Sequence, residues 1–226
     1  MKRPSAGGPG DYALAADYAY AMLRRGIEDG TFGPGARMRE IDLATRLGVS
    51  RTPIRQALSR LEVEGMLTVA PRTGLVVASL DSDAMTELYN MREVLEGAAA
   101  VFAARNASPK EISDLERILD ETPSIAGDPR EFARHNRRLH QAIYDAAHNR
   151  FLVKSLQALH DAMLLLGPTT LSTKARRKEA HEEHRALIAA IADRDGEAAT
   201  AVVRQHIQAA LKVRLAKSDA PAKEEA

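Results

Sequence analysis

The chain has 226 residues and weighs 24.6 kDa, room for one or two domains with substantial cores. Its 32 Lys+Arg against 31 Asp+Glu exclude a histone-like polycation or an acidic tail protein, while leaving room for local patches. The absence of cysteine excludes disulfides, thiolate nucleophiles and cysteine metal sites, which suits a reducing cytoplasm; no apolar run is long enough for a membrane helix, and the lack of Trp argues against stacking platforms for single-stranded nucleic acid.

Residues 1–10 carry Lys2 and Arg3 without an apolar stretch and read as a flexible tail, not a secretory signal. Asp11 is placed to cap a first helix through Ile27, with Leu14, Tyr18 and Met22 on one stripe. Gly30 and the run Phe32-Gly33-Pro34-Gly35 end it. Ile41, Leu43, Ala44 and Leu47 form the apolar side of a short second helix that stops at Gly48. Ser50 before Arg51-Thr52-Pro53 predicts an N-cap and a third helix, with Ile54, Ala57, Leu58 and Leu61 facing the core and Gly65 at its end. Leu67–Val69 and Leu75–Val77 are two β runs around Pro71-Arg72-Thr73-Gly74, a hairpin.

Two short helices joined by a glycine turn and followed by a two-stranded wing describe a winged helix-turn-helix over residues 11–79. Between residues 37 and 79, seven arginines stand against four acidic residues, either an anion-binding face or ordinary solvated helix surface. The start of the third helix, with Arg51, Thr52 and Arg55, is expected to enter the major groove. Arg51 and Arg55 are four apart and share a face; arginine suits guanine edges and phosphates, and the free N–H groups of a helix start also favour a phosphate. Arg72 and Gly74 fall at the wing tip, where the minor groove or the backbone is touched.

Ser79–Ser82 reads as a linker, with Asp81 or Ser82 capping the next helix. Residues 83–217 then carry only helical patterns, at 83–106, 109–121, 129–147, 151–166, 174–194 and 196–217, and 218–226 reads as a frayed tail. The fold class is therefore mainly α: an N-terminal winged helix-turn-helix plus a C-terminal all-α six-helix bundle.

Of the seven histidines, three stand on inward faces of that bundle. His140, one turn after Asn136, lies with Phe132, Leu139 and Ile143; His184 lies with Leu187, Ile188 and Ile191; His206 lies with Val203, Ala210 and Val213. A buried imidazole needs a partner. Three converging on one core suggest a shared divalent metal, the alternative being three separately satisfied histidines. His135, His148, His160 and His181 fall off these stripes or at their borders.

The run GTFGPGARMREIDLATRLGVSRTPIRQALSRLEVEGMLTVAPRTGLVV resembles the winged-helix domain of the GntR family of bacterial transcriptional regulators. The stretches MREVLEGAAA, NRRLHQAIYDAAHN and EHRALIAAIADRD are similar to the FCD ligand domain of the FadR-type subfamily, and the six-helix count resembles its shorter VanR-like branch. The resemblance implies a cytoplasmic, ligand-responsive regulator, most commonly a repressor, that binds double-stranded operator DNA as a homodimer, with no membrane partner. It places Arg51, Thr52, Arg55 and Gly74 at the family's DNA contacts. Some members add a second-helix arginine; its place here is Ile41, and Arg39, two residues earlier, stands either as its replacement or as a partner of Glu40.

For the bundle, the resemblance implies a divalent metal (Zn, Ni or Mn) on Asn136, His140, His184 and His206, with Asn136 where aspartate is commoner. Four neutral ligands favour an anion in the open positions, which fits a small carboxylate or sugar-acid effector. Arg92 is then either an effector contact or an i,i+4 partner of Glu96. The competing class is a metal-dependent enzyme of small organic acids using the same histidines. Against it, no HExxH motif, nucleophile elbow, phosphate-cradling glycine loop or neighbouring general base is present.

Overall fold

The computed structural model describes residues 14–218 apart from 123, 125, 126 and 168. The tail expected at 1–10, the capping role expected of Asp11 and the tail expected beyond Ser218 lie outside the described residues. In chain order the elements are α1 (Ala15–Glu28), α2 (Glu40–Leu47), α3 (Arg51–Val63), β1 (Leu67–Ala70), β2 (Gly74–Val77), α4 (Ser82–Asn106), α5 (Pro109–Asp120), α6 (Pro129–Ala146), α7 (Arg150–Leu164), α8 (Lys174–Ala192) and α9 (Gly196–Ser218), with a 3-10 turn at Thr170–Ser172. The protein is mainly helical, and among the described residues no helix is long and apolar enough to cross a membrane. Two compact units emerge: Met1–Leu80 with Asp161–Gly167, and Asp81–His160 with Pro168–Ala226. The chain thus passes between units three times, and the expected linker at 79–82 is one of those crossings.

In the first unit, Ile54, Ala57, Leu58 and Leu61 of α3 are buried as their spacing predicts, packed with Leu23 and Ile27 of α1, Leu43 of α2, and Met66, Leu67, Val77 and Leu165. The buried row of α1 is Ala19, Leu23 and Ile27, flanked by Tyr18, whereas Leu14 is 64% exposed and Met22 only half-buried. The expected Leu14–Tyr18–Met22 stripe is therefore rotated by one position. Both rows are apolar, and packing against α3 selects the one that ends at Ile27. Ile41 is 63% exposed, in the first turn of α2, so that helix buries Leu43 and Ala44 instead.

Gly48 closes α2 in the left-handed region at φ 67°, where a side chain would be strained. Ser50 stands in extended backbone at the N-cap of α3, but its side chain makes no capping bond. β1 and β2 pair antiparallel from Leu67↔Val77 to Ala70↔Gly74. Gly35 N–H donates to the Val77 carbonyl and Met38 N–H to the Leu75 carbonyl, each at 2.9 Å. These bonds tie the segment entering α2 to the wing.

In the second unit, Asp81 caps α4 by accepting the Ala84 N–H at 2.8 Å. Ala99, Ala100, Ala103 and Ala104 line one side of α4 and are fully buried. Their small size, with Gly97 facing Thr200, lets α9 approach α4 closely. α6 and α8 also pack on α4, α8 packs on α9, and α5 packs on α6 and α8. The inward faces of α6, α8 and α9 thereby converge beside α4.

Candidate metal centre and nucleic-acid interface

Arg51, Thr52 and Arg55 lie exposed in the first turns of α3. Arg51 and Arg55 converge on one carboxylate. Arg55 Nε donates to Glu40 Oε1 at 2.9 Å and its Nη2 to Oε2 at 3.1 Å, while Arg51 Nη2 donates to Oε2 at 2.9 Å. The Arg55 and Arg51 hydrogen bonds hold the Glu40 carboxyl at about 2, below the usual carboxylate range. The pairing of Glu40 with Arg39 that adjacency suggests does not form, because the helix-turn-helix angle brings α3 over the start of α2 and leaves Arg39 exposed at the N-cap. At the wing, Arg72 holds φ 63° and Gly74 φ 84°, both exposed. A left-handed arginine at a tight turn is a strained conformation that projects its side chain from the tip.

The second unit brings His140, His184 and His206 together. One nitrogen from each ring lies within 4.8 Å of the others, and all three residues are buried. His140 Nε2 and His184 Nε2 are 3.2 Å apart. Asn136 sits one turn before His140 on α6, and its Oδ1 is buried without a hydrogen-bond partner among the described residues. His135, His148 and His181 stand outside this cluster, beside Thr122, Glu111 and Arg185 respectively.

Sequence reasoning missed the carboxylates behind the imidazoles. Glu96 Oε2 lies 3.0 Å from His140 Nδ1, and Glu183 Oε2 lies 2.6 Å from His206 Nδ1. Each carboxylate is also held by an arginine: Arg92 Nε donates to Glu96 Oε1 at 2.9 Å, and Arg176 Nη2 donates to Glu183 Oε2 at 2.8 Å. The i,i+4 pairing of Arg92 with Glu96 is thus present, with Arg92 only 7% and Glu96 only 4% exposed. Burial alone would raise the Glu96 carboxyl, but the Arg92 charge and the His140 bond hold it well below the usual range. Burial likewise opposes the ionised Glu183 carboxylate, yet bonds from His206 and Arg176 bring it to about 2. The spacing of Glu96 four residues after Arg92, and of Glu183 beside His184, were the available signals.

Three features of the cluster suit a divalent cation. Burial, reinforced by the neighbouring histidines, pushes His184 well below the ordinary imidazole value, and burial pushes His206 down as well, so these rings are neutral ligands at pH 7. An ionised carboxylate can only accept, so Glu96 and Glu183 assign the Nδ1 proton of His140 and of His206 and turn each Nε2 lone pair toward the cluster, where His140 Nε2 meets His184 Nε2; this is the usual support of a metal-binding histidine. The Asn136 oxygen, without a partner among the described residues, is a further acceptor open to a donor or a cation.

Residues 15–77 match the bacterial regulatory proteins of the gntR family, and residues 87–209 match the FCD domain. The chain is similar to the uncharacterized HTH-type transcriptional regulator YdhC of Bacillus subtilis (strain 168), 32% identical over 193 residues that span 84% of each chain. It is also similar to the Nta operon transcriptional regulator of Aminobacter aminovorans, 32% identical over 180 residues, 78% of this chain and 83% of that one. The solved structure of E. coli McbR/YncC superposes with a TM-score of 0.76 at 26% identity, covering 89% of this chain and 97% of the other. The two sequence relatives are named as transcriptional regulators, not as enzymes.

Proposed function

The chain belongs to the GntR family of bacterial transcriptional regulators and carries an FCD domain, and on that premise we propose that it is a repressor whose operator binding is governed by a small carboxylate or sugar acid at a divalent metal in the second unit. The observation that carries the reading is the buried gathering of three imidazole nitrogens within 4.8 Å, with the unpartnered Asn136 oxygen one turn away on α6. His140, His184, His206 and Asn136 would hold the ion. Zn, Ni or Mn would supply a Lewis-acidic charge with positions open to an oxygen ligand.

The charge balance supports an anionic effector. An amide oxygen and imidazoles coordinate a metal as neutral ligands, and the buried Arg92–Glu96 and Arg176–Glu183 pairs each cancel internally. Nothing in this set offsets a dication, and an anion does. Arg92, joined to His140 through Glu96, offers the effector hydrogen-bond donors of its guanidinium in this reading, not a net charge.

On DNA, Arg51, Thr52 and Arg55 meet base edges in the major groove, Arg72 and Gly74 meet the backbone or minor groove, and Arg39 replaces the second-helix arginine contact whose place Ile41 takes. One recognition helix covers a half-site, so the working form is a homodimer on a short inverted repeat. An effector alters operator affinity only by favouring one arrangement of the winged units over another.

The test is elemental analysis of the purified protein, followed by a thermal-shift screen of carboxylic and sugar acids with and without chelator. A bound divalent metal, and a melting increase from an acid that chelator abolishes, are expected. A metal-free protein that no acid stabilises would overturn the reading. For the DNA half, Arg55→Ala should weaken binding to a selected operator by roughly 10–100-fold, and unchanged affinity in a folded variant would remove Arg55 from the interface.

A further inference from the structure

We infer that Glu40 is a positioning residue for DNA recognition, holding the side-on edge of Arg55 and one donor of Arg51 so that the end-on edge of Arg55 faces a guanine. The inference rests on the proposed DNA role of α3. A guanidinium has two edges that can form paired hydrogen bonds: Nε with Nη2, and Nη1 with Nη2. The contacts of 2.9 and 3.1 Å to Glu40 use the first edge of Arg55. The second edge, which matches the O6/N7 pair of guanine, is left for the base. The same carboxylate takes Arg51 Nη2 at 2.9 Å, so both arginines of the exposed face are ordered before DNA arrives.

The support behind Glu40 is rigid. It is the first residue of α2, whose entering strand is tied to β2 by the Met38 N–H bond to Leu75 at 2.9 Å, and Leu43 and Ala44 anchor the helix in the core. Ordering the two side chains in advance removes an entropic cost from specific binding.

The carboxylate has a second effect, on DNA of the wrong sequence. A phosphate seeks the same paired donors that Glu40 already fills, and it carries the same sign of charge. The Arg51–Arg55–Glu40 group presents one net positive charge in place of two. Glu40 therefore weakens non-specific phosphate binding while keeping the base-reading edge in place, and both effects raise the ratio of specific to non-specific affinity.

The experiment compares wild type, Glu40→Gln, Arg55→Lys and the double variant on a duplex selected by the wild-type protein from a random pool, and on the same duplex scrambled. Glu40→Gln is expected to bind the scrambled duplex more tightly, with a salt slope steeper by about 0.9 for one further phosphate contact. Its operator-to-scrambled ratio should fall roughly tenfold, within the range by which one bidentate base contact discriminates. Lysine has no side-on edge, so in the Arg55→Lys background Glu40→Gln should lower the ratio by less than it does in wild type, leaving only the part that comes from the Glu40 charge and from Arg51. An unchanged ratio in Glu40→Gln, or an equal loss in the Arg55→Lys background, overturns the inference. Arg55→Ala separates the two levels. Full operator affinity in that variant removes the DNA reading of α3 itself. Lost affinity together with an intact Glu40→Gln ratio removes only the role of Glu40.

Discussion

Replacing Asn136 by aspartate tests the metal site by adding the one charge it lacks. The Asn136 oxygen is buried and unpartnered among the described residues, and of the rings gathered near it, burial pushes His184 and His206 below the ordinary imidazole value. Without metal, an aspartate there is a buried carboxylate with no compensating bond, at a cost of about 1–3 kcal/mol or more. A bound dication relieves that cost, so the same energy reappears as tighter metal binding: a gain of at least roughly tenfold in affinity for about 1.4 kcal/mol. With metal in excess, each tenfold adds about 1.4 kcal/mol to the loaded state relative to the chelated one, or about 3–6 °C in melting temperature for a unit of this size. The assay is thermal melting of wild type and Asn136→Asp, each with EDTA and with excess Zn, Ni or Mn. The chelated variant should melt below chelated wild type, and the gap opened by metal should be wider in the variant. A variant that melts no lower under chelation, and gains no more from metal than wild type does, would refute the argument.

His184→Ala should lose the bound metal and the effector response while keeping operator affinity, because the α3 surface lies in the other unit; elemental analysis and a gel-shift titration with effector check both halves. Arg72→Ala should weaken binding to all duplexes alike and flatten the salt slope by about 0.9, the signature of one phosphate contact; a change confined to base preference would contradict it. Chelated protein should also lose stability in mild acid. His184 and His206 are held below the ordinary value of about 6.5, so the unfolded chain binds protons first; their contribution is whole above that pH and declines as pH falls, by up to about 1.4 kcal/mol per pH unit for each ring. Glu96 and Glu183, held low by their arginine and histidine partners, contribute above about 4.3 and lose that contribution below it. Urea midpoints should therefore fall from pH 7 to pH 5 and fall again below pH 4, and a flat profile from pH 7 to pH 5 would exclude buried neutral imidazoles.

Much of the fold was legible because local chemistry and period agree. Gly48 and Gly65 bracket α3, Ser50 stands at its N-cap position without a capping bond, and the buried side follows the 3.6-residue spacing of Ile54, Ala57, Leu58 and Leu61. Periodicity is weaker where two apolar rows run side by side. On α1, the rows Leu14–Tyr18–Met22 and Ala19–Leu23–Ile27 differ by one position, and only the contact with α3 decides between them. Ile41 fails for a related reason: in the first turn of an eight-residue helix, apolar character does not say whether another element passes over that turn.

The histidines were legible for the opposite reason, that a polar ring on an apolar stripe stands out. His140, His184 and His206 each break a hydrophobic row, and the bundle does bring them together. Their carboxylate partners carry no such mark, because the contacts run between helices. Glu96 on α4 serves His140 on α6, 44 residues away, and Glu183 on α8 serves His206 on α9, 23 residues away. Neither distance is a multiple that a single helix would reveal. Glu40 is hidden in the same way: the residues it holds are 11 and 15 positions on, across a turn whose angle sets which of several nearby arginines it meets. Arg39 is adjacent in sequence and unpaired with it, while Arg51 and Arg55 are distant and bound. Sequence thus exposes a residue whose type conflicts with its own helix face, whereas the groups that orient it are selected by packing angles and become visible only once the helices are in place.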